Sequence, residues 1–307
     1  MVSAVSTPSI RREALAGLVG DVDEFFCEHW TQEAAVRRPP GGLPTGLLTA
    51  AEIWDEIDCG LLLPPFLRVF GDGPRRDRDD HAGGGDAVSA GSFRIDGGAV
   101  RRAFGNGATL QLNNVEEWHR PTRALLDKLA PGLPGVLRAV AFLSPPGKTP
   151  VITAHTDNAH VFVIQVEGEK DWAVGPLDAT TVADPAFCVT PEIPPEGRLD
   201  TTLCSGEVLY VPHGCPHYAL ARSTTSLHLS VNVEEPSTRH LLNAYLAQFM
   251  TSPGYQRLCE PPHPVSGGMV GQLRDGLVAS LSAADTASID SAALRLFARR
   301  GGGAPGR

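Results

Sequence analysis

The chain has 307 residues, 42% of them hydrophobic, which is enough to bury a sizeable core and excludes a peptide or a disordered chain. With 35 acidic against 26 basic residues the formal charge is -9, which excludes the positive field that nonspecific nucleic-acid binding and docking to anionic membranes require. The 33 glycines and 26 prolines interrupt regular elements often, so a loop-rich, β-containing fold is favoured over a helical bundle.

The N-terminal stretch predicts a helix from Pro8 to Trp30, capped by Ser9, because Leu15, Leu18, Val19, Val22, Phe25 and Phe26 recur at threes and fours. Arg11, Arg12 and Glu13 stand where the apolar core of a signal peptide would lie, and no later segment reaches membrane-spanning length. A cytoplasmic protein with no membrane contact is therefore expected. A second helix is expected from Thr49 to Ile57, with Thr49 as cap, completing an N-terminal helical segment over 1-66. Leu67 to Phe70 reads as a strand, and the Gly-, Pro- and charge-rich stretch 71-91 as a mobile loop. Phe93, Ile95 and Val100 around a Gly97-Gly98 turn, and then Thr109 to Leu112, read as short strand-like pieces; Pro121 to Leu137 returns to helical spacing.

From Val136 to Glu234 the chain is a run of short apolar segments bounded by Gly, Pro or polar turns: RAVAFLS, VFVIQVEG, DWAVGP, GEVLYVP, HYALA and SLHLSVNV. Many short strands in one run favour a barrel or a two-sheet jelly roll, here spanning 67-235. Helical spacing resumes over 236-298, with an apolar stripe of Leu241, Leu242, Tyr245, Leu246, Phe249 and Met250 and further helices from Met269 to Leu281 and Ser288 to Ala298; 299-307 reads as a disordered tail. The six cysteines form no C-x-x-C pair and read as reduced thiols.

One constellation carries chemistry. His155-Thr156-Asp157 is an H-x-D, and in a strand its outer residues point to the same side, so an imidazole and a carboxylate can face one ion. His217 follows 62 residues later, with His213 as the alternative third ligand. Two histidines and a carboxylate leave positions open on a non-haem Fe(II), where a chelating cosubstrate and O2 can bind together.

TAHTDNAHVFVIQVEGEKDWAVGP and SGEVLYVPHGCPH resemble the JmjC and cupin-like 2-oxoglutarate oxygenases, especially the ribosomal-oxygenase-like branch, over roughly residues 109 to 235. The resemblance implies a mainly β chain with helical extensions whose core is a double-stranded β-helix. It implies Fe(II) held by His155, Asp157 and His217, with 2-oxoglutarate and O2 as cosubstrates. It places Lys170, 15 positions after the first histidine and one of only three lysines, against the far carboxylate of 2-oxoglutarate. Val140 and Phe142 stand where the branch carries polar cosubstrate contacts, so Ser230 and Asn232 are the expected replacements. The expected activity is hydroxylation of an unactivated C-H bond in a protein side chain, peptide, amino acid or secondary-metabolite intermediate, with no nucleic-acid partner. The alternatives are a metal-binding cupin that is not an oxygenase and an inactive binding module. The resemblance also implies a homodimer through the C-terminal helices, while the roughly 70 residues after the barrel are expected to be too few for a full winged-helix domain.

Overall fold

The computed structural model describes residues 12-60, 62-71, 95-147, 152-177, 188-189, 193-236, 238-258 and 267-300. They fall into two compact units, Met1–Glu234 and Glu235–Arg307.

In the first unit the expected long N-terminal helix is two helices, α1 (Glu13–Val19) and α2 (Val22–Glu28). The break has a local cause: Gly20 adopts φ 81°, and the Asp21 side chain accepts from the N–H groups of Asp23 and Glu24 to start a new helix. The proposed cap Ser9 lies outside the described residues. Strand β1 (Ala35–Arg37) follows, then α3 (Ala50–Cys59), whose capping box pairs the Thr49 hydroxyl with the Glu52 N–H and the Glu52 carboxylate with the Thr49 N–H. Strand β2 (Leu67–Phe70) forms as expected, and residues 72-91 of the expected loop lie outside the described residues.

Of the strand-like pieces expected around Gly97-Gly98, Phe93 lies outside the described residues, Ile95 precedes any regular element, and Val100 lies in helix α4 (Gly97–Gly105). The Asp96 carboxylate accepts from the Ala99 N–H, and the helix buries Val100 completely; cap and burial outweigh the two glycines. After β3 (Thr109–Leu112) come α5 (Val115–Trp118) and α6 (Arg120–Leu129), the latter shorter than predicted because Pro131 and Gly132 end it in a 3-10 turn. The remaining strands are β4 (Val136–Ser144), β5 (His155–Thr156), β6 (His160–Glu167), β7 (Glu169–Val174), β8 (Cys188–Val189), β9 (Leu199–Cys204), β10 (Val208–Val211), β11 (His217–Leu220) and β12 (Ser226–Glu234).

These strands form two antiparallel sheets, a seven-stranded one ordered β1-β10-β6-β12-β4-β3-β2 and a five-stranded one ordered β8-β5-β11-β7-β9. From β4 to β7, and again from β9 to β12, consecutive strands alternate between the sheets, which is the winding of a double-stranded β-helix. The large sheet is apolar on both faces. Phe162, Ile164, Val208, Tyr210, Leu227, Leu229 and Val231 pack with Leu15, Leu18, Phe25 and Ile53 of the helices. The alternate residues Val161, Val163, Leu209 and Val211 pack with Trp172, Val174 and Leu203 of the small sheet. At the β6-β7 turn Gly168 has φ 65°, and a Cβ there would sit 2.1 Å from the Thr225 carbonyl, so only glycine fits the turn that leads to Lys170.

The second unit is helical: α7 (Thr238–Met250), α8 (Pro253–Leu258), α9 (Gly267–Ala283) and α10 (Thr286–Arg300). Ala244, Ile289 and Ala293 form its small core, where α7 packs on α10. Arg299 and Arg300, expected in the tail, close α10; residues 301-307 lie outside the described residues. No helix among the described residues is long and apolar enough to cross a membrane.

Candidate active site

Strand alternation turns one face of the large sheet into the wall of a cavity of about 770 Å³, open mouth included. On β12 the odd-numbered residues from Leu227 to Val233 serve the helix-facing core, so His228 and Ser230 face the cavity; on β4, Phe142 and Ser144 do the same beside Ala141 and Leu143. The small sheet supplies His155, Lys170, Trp172 and His217, and Asp157 follows β5.

His155 and His217 are direct partners across the antiparallel β5-β11 pair, and their ring centroids are 4.5 Å apart. Asp157 lies between them: Oδ1 is 3.8 Å from His155 Nε2 and Oδ2 is 3.6 Å from His217 Nε2. One donor atom from each of the three residues falls within 4.8 Å of the others. The backbone selects the tautomers. His155 Nδ1 is 2.8 Å from the Thr153 carbonyl and His217 Nδ1 is 3.0 Å from the Cys215 carbonyl. A carbonyl only accepts, so each Nδ1 carries the proton and each Nε2 turns its lone pair toward Asp157. Two neutral imidazoles and one carboxylate on one side of a small space fit a divalent metal ion of the Fe(II), Co(II) or Zn(II) kind. His213 is outside this group; its backbone N–H donates to His160 Nδ1.

Deeper in the cavity, Lys170 is 6% exposed and donates to the Ser144 hydroxyl at 2.9 Å, which in turn contacts the Thr109 hydroxyl at 3.1 Å. No carboxylate among the described residues forms an ion pair with this amine, and burial pushes its pKa down to about 7. The cavity thus offers an anion a pre-placed cation. His228 is stacked on Phe142 at 5.0 Å and meets the edge of Trp172 at 5.3 Å. Burial first, then the positive charge of Lys170, hold it neutral.

Of the residues singled out in the sequence, His155, Asp157, His217, Lys170 and Ser230 line this one cavity. Asn232, the next inward residue of β12, is not among the lining residues. Val140, the register partner of Ser230, is not a lining residue either, whereas Phe142 is. Sequence reasoning missed Thr109, Ser144 and His228. His228 and Ser144 were recoverable from the period of two, since each lies two residues from a position already named; Thr109 had no such signal.

Residues 120–241 match the JmjC domain family. Over these residues the chain is similar to JmjC domains, and relatives it resembles are named as a ribosomal protein hydroxylase and a ribosomal oxygenase. It is 31% identical over 145 residues to the ribosomal protein uL16 3-hydroxylase of Escherichia coli K12, covering 45% of this chain and 36% of that protein. It is 28% identical over 218 residues to ribosomal oxygenase 1 of Gallus gallus, covering 68% of this chain and 34% of that one. The chain therefore spans about a third of the length of these curated relatives. The X-ray structure of Escherichia coli YcfD superposes with a TM-score of 0.58 at 20% identity, over 90% of this chain and 71% of that one. The YcfD complex with cobalt and 2-oxoglutarate superposes at 0.53 and 18%, over 87% and 68%. At such identities the superpositions speak for the fold, and the fold is the expected double-stranded β-helix with helical extensions.

Proposed function

We propose that this chain is an Fe(II)- and 2-oxoglutarate-dependent hydroxylase. The observation that carries the reading is the presence, in one cavity, of a two-histidine, one-carboxylate donor set and a buried lysine with no counter-ion among the described residues. A metal-binding cupin that is not an oxygenase would use the first and gain nothing from the second, because an uncompensated buried amine is costly.

His155 Nε2, the Asp157 carboxylate and His217 Nε2 would hold the metal. Bound iron supplies oxidative decarboxylation of 2-oxoglutarate by O2 and hydroxylation of a substrate C-H bond. Lys170, assisted by Ser144, takes the far carboxylate of the cosubstrate by a charge-assisted hydrogen bond. Ser230 and His228 border the same space and orient the cosubstrate, while Phe142, Val161, Val163 and Trp172 keep water from it. The Thr153 and Cys215 carbonyls hold the two imidazoles in the tautomer that leaves Nε2 unprotonated.

The substrate we propose is a protein side chain, in keeping with the relatives named for ribosomal proteins; a peptide, a free amino acid or a secondary-metabolite intermediate is the competing choice. The second unit supports homodimerisation. Val270, Leu273, Val278 and Leu281 are exposed on α9, with Val270, Leu273 and Leu281 along one face of the helix, as self-association requires. A cytoplasmic location fits the exposed thiols of Cys27 and Cys204.

The test is anaerobic titration of purified protein with Fe(II) and 2-oxoglutarate, followed by succinate release with O2. A metal-to-ligand charge-transfer band that needs both additions is expected. Its absence, or metal content unchanged by His155→Ala, would overturn the reading. A ribosomal protein 16 Da lighter in a deletion strain is the expected mark of a ribosomal substrate, and an unchanged ribosomal protein mass spectrum would exclude one.

A further inference from the structure

We infer that His160 is a positioning residue for the metal site, tying the turn that carries His217 to the N-terminal helical layer; the inference rests on the metal-site reading above. His160 opens β6 three residues after Asp157, is 2% exposed, and lies outside the donor set formed by His155, Asp157 and His217. Its Nδ1 accepts from the His213 N–H at 3.1 Å and lies 2.9 Å from the Tyr210 hydroxyl. A backbone N–H can only donate, so Nδ1 is unprotonated. The Tyr210 oxygen accepts from the Thr31 N–H at 3.1 Å, and because Nδ1 is unprotonated its contact with the Tyr210 hydroxyl is an O–H donation, so the Nδ1 lone pair is shared between Tyr210 and the His213 N–H. This chain of bonds runs from Thr31 through Tyr210 and His160 to His213.

Both ends of this chain are anchored. Thr31 adopts φ 63° in the turn after α2, and the adjacent Trp30 ring stacks on the His160 ring with centroids 4.1 Å apart. At the other end, His213 opens a turn whose next two residues touch the metal ligands. The Gly214 N–H donates to the Asp157 carbonyl at 3.1 Å, and the Cys215 carbonyl accepts from His217 Nδ1 at 3.0 Å. An acceptor at the Nδ1 position therefore fixes the turn that orients two of the three ligands. Without it the His213 N–H loses its acceptor and the turn can shift by a few tenths of an ångström, which is enough to weaken a metal site. The N-terminal helices, remote in sequence from the JmjC match, become part of how tightly the ion is held.

The experiment titrates the full chain with Co(II) alone, following the visible d-d bands, for wild type, His160→Asn, His160→Gln and His160→Leu, each with its thermal midpoint. Asparagine can place an acceptor where Nδ1 stood; glutamine and leucine cannot. We expect His160→Asn to stay within about threefold of wild type and His160→Gln and His160→Leu to bind about 10 to 100-fold more weakly, the range for loss of an outer partner of a metal ligand. Equal Co(II) affinity in folded Gln, Leu and wild-type proteins, even with lowered thermal midpoints, would overturn the inference and leave a purely structural histidine. Equal weakening in Asn and Gln would also overturn it. Should the variants fail to fold, the nitrogen-15 shifts of His160 in the wild type decide: an unprotonated Nδ1 is expected, and a protonated one refutes the bonding scheme. A wild type that binds no Co(II) would overturn the metal reading itself; a wild type that binds while all variants match it would overturn only the role of His160.

Discussion

Cosubstrate binding should be coupled to the protonation of Lys170, and the coupling has a calculable size. With its pKa pushed down to about 7, the buried amine of the ligand-free protein is half charged at neutral pH. A carboxylate at hydrogen-bond distance restores the ordinary lysine range of about 10.4, so binding takes up a proton whenever the free protein has lost it. The charged fraction falls from about one half at pH 7 to about 1% at pH 9, which predicts a loss of 2-oxoglutarate affinity of about 50-fold, or roughly 2.3 kcal/mol. Calorimetric titration of Co(II)-loaded protein with 2-oxoglutarate between pH 7 and 9, in two buffers of different ionisation enthalpy, measures the affinity and the proton count together. Proton uptake should rise from about one half at pH 7 to nearly one at pH 9. Lys170→Arg is the control, since guanidinium stays charged across this range and should remove the slope. A flat affinity in the wild type, or an equal slope in Lys170→Arg, would refute the assignment of Lys170 as the carboxylate partner.

Three further outcomes follow from the same geometry. Lys170→Met should abolish cosubstrate binding yet stabilise the ligand-free protein at pH 7 by about 1-4 kcal/mol, because a buried amine without a counter-ion is replaced by an apolar chain of similar length. The sign follows from linkage: the folded-state pKa lies below the unfolded one, so the folded state is penalised increasingly as pH falls from about 10 toward 7, and the advantage of methionine should shrink at high pH in thermal unfolding. Asp157→Ala should lower bound metal below one tenth of the wild-type content by elemental analysis, whereas His213→Ala, which keeps the backbone N–H, should leave it unchanged; loss in both would implicate His213 as a ligand. Leu273→Glu with Leu281→Glu should shift the mass measured by light scattering from dimer to monomer, and an unaltered mass would remove α9 from the interface.

The expectations that held and those that failed separate by the range of the interactions behind them. Strands β4, β6, β7, β10, β11 and β12 were legible because buried strands read as short apolar runs that turn residues interrupt, and that pattern is local. The H-x-D motif and His217 were legible because their distances along the chain reflect where β5 and β11 start, and the β5-β11 pairing then sets the two imidazoles beside each other. The helix at Gly97–Gly105 was misread because a glycine pair signals a turn, while the forces that decide, the Asp96 cap and the burial of Val100 against the helical core, weigh more than the backbone entropy of two glycines. Asn232 was grouped with Ser230 as a replacement for the polar contacts missing at Val140 and Phe142; it is the next inward residue of β12, but strand direction carries it beyond the residues that line the cavity, and position in sequence contains no depth. Ser144 reaches Lys170 from the other sheet and Thr109 from an earlier strand, contacts that closure of the β-helix creates and no nearby spacing records. The same holds for His160, whose neighbours in sequence mark it only as the first residue of an apolar strand. Its bonds to Tyr210 and His213 arise because β10 pairs with β6 and the next turn returns the chain to Asp157. The proposed metal ligands can therefore be read from one dimension, while the groups proposed to set their strength come together only after the sheets have closed.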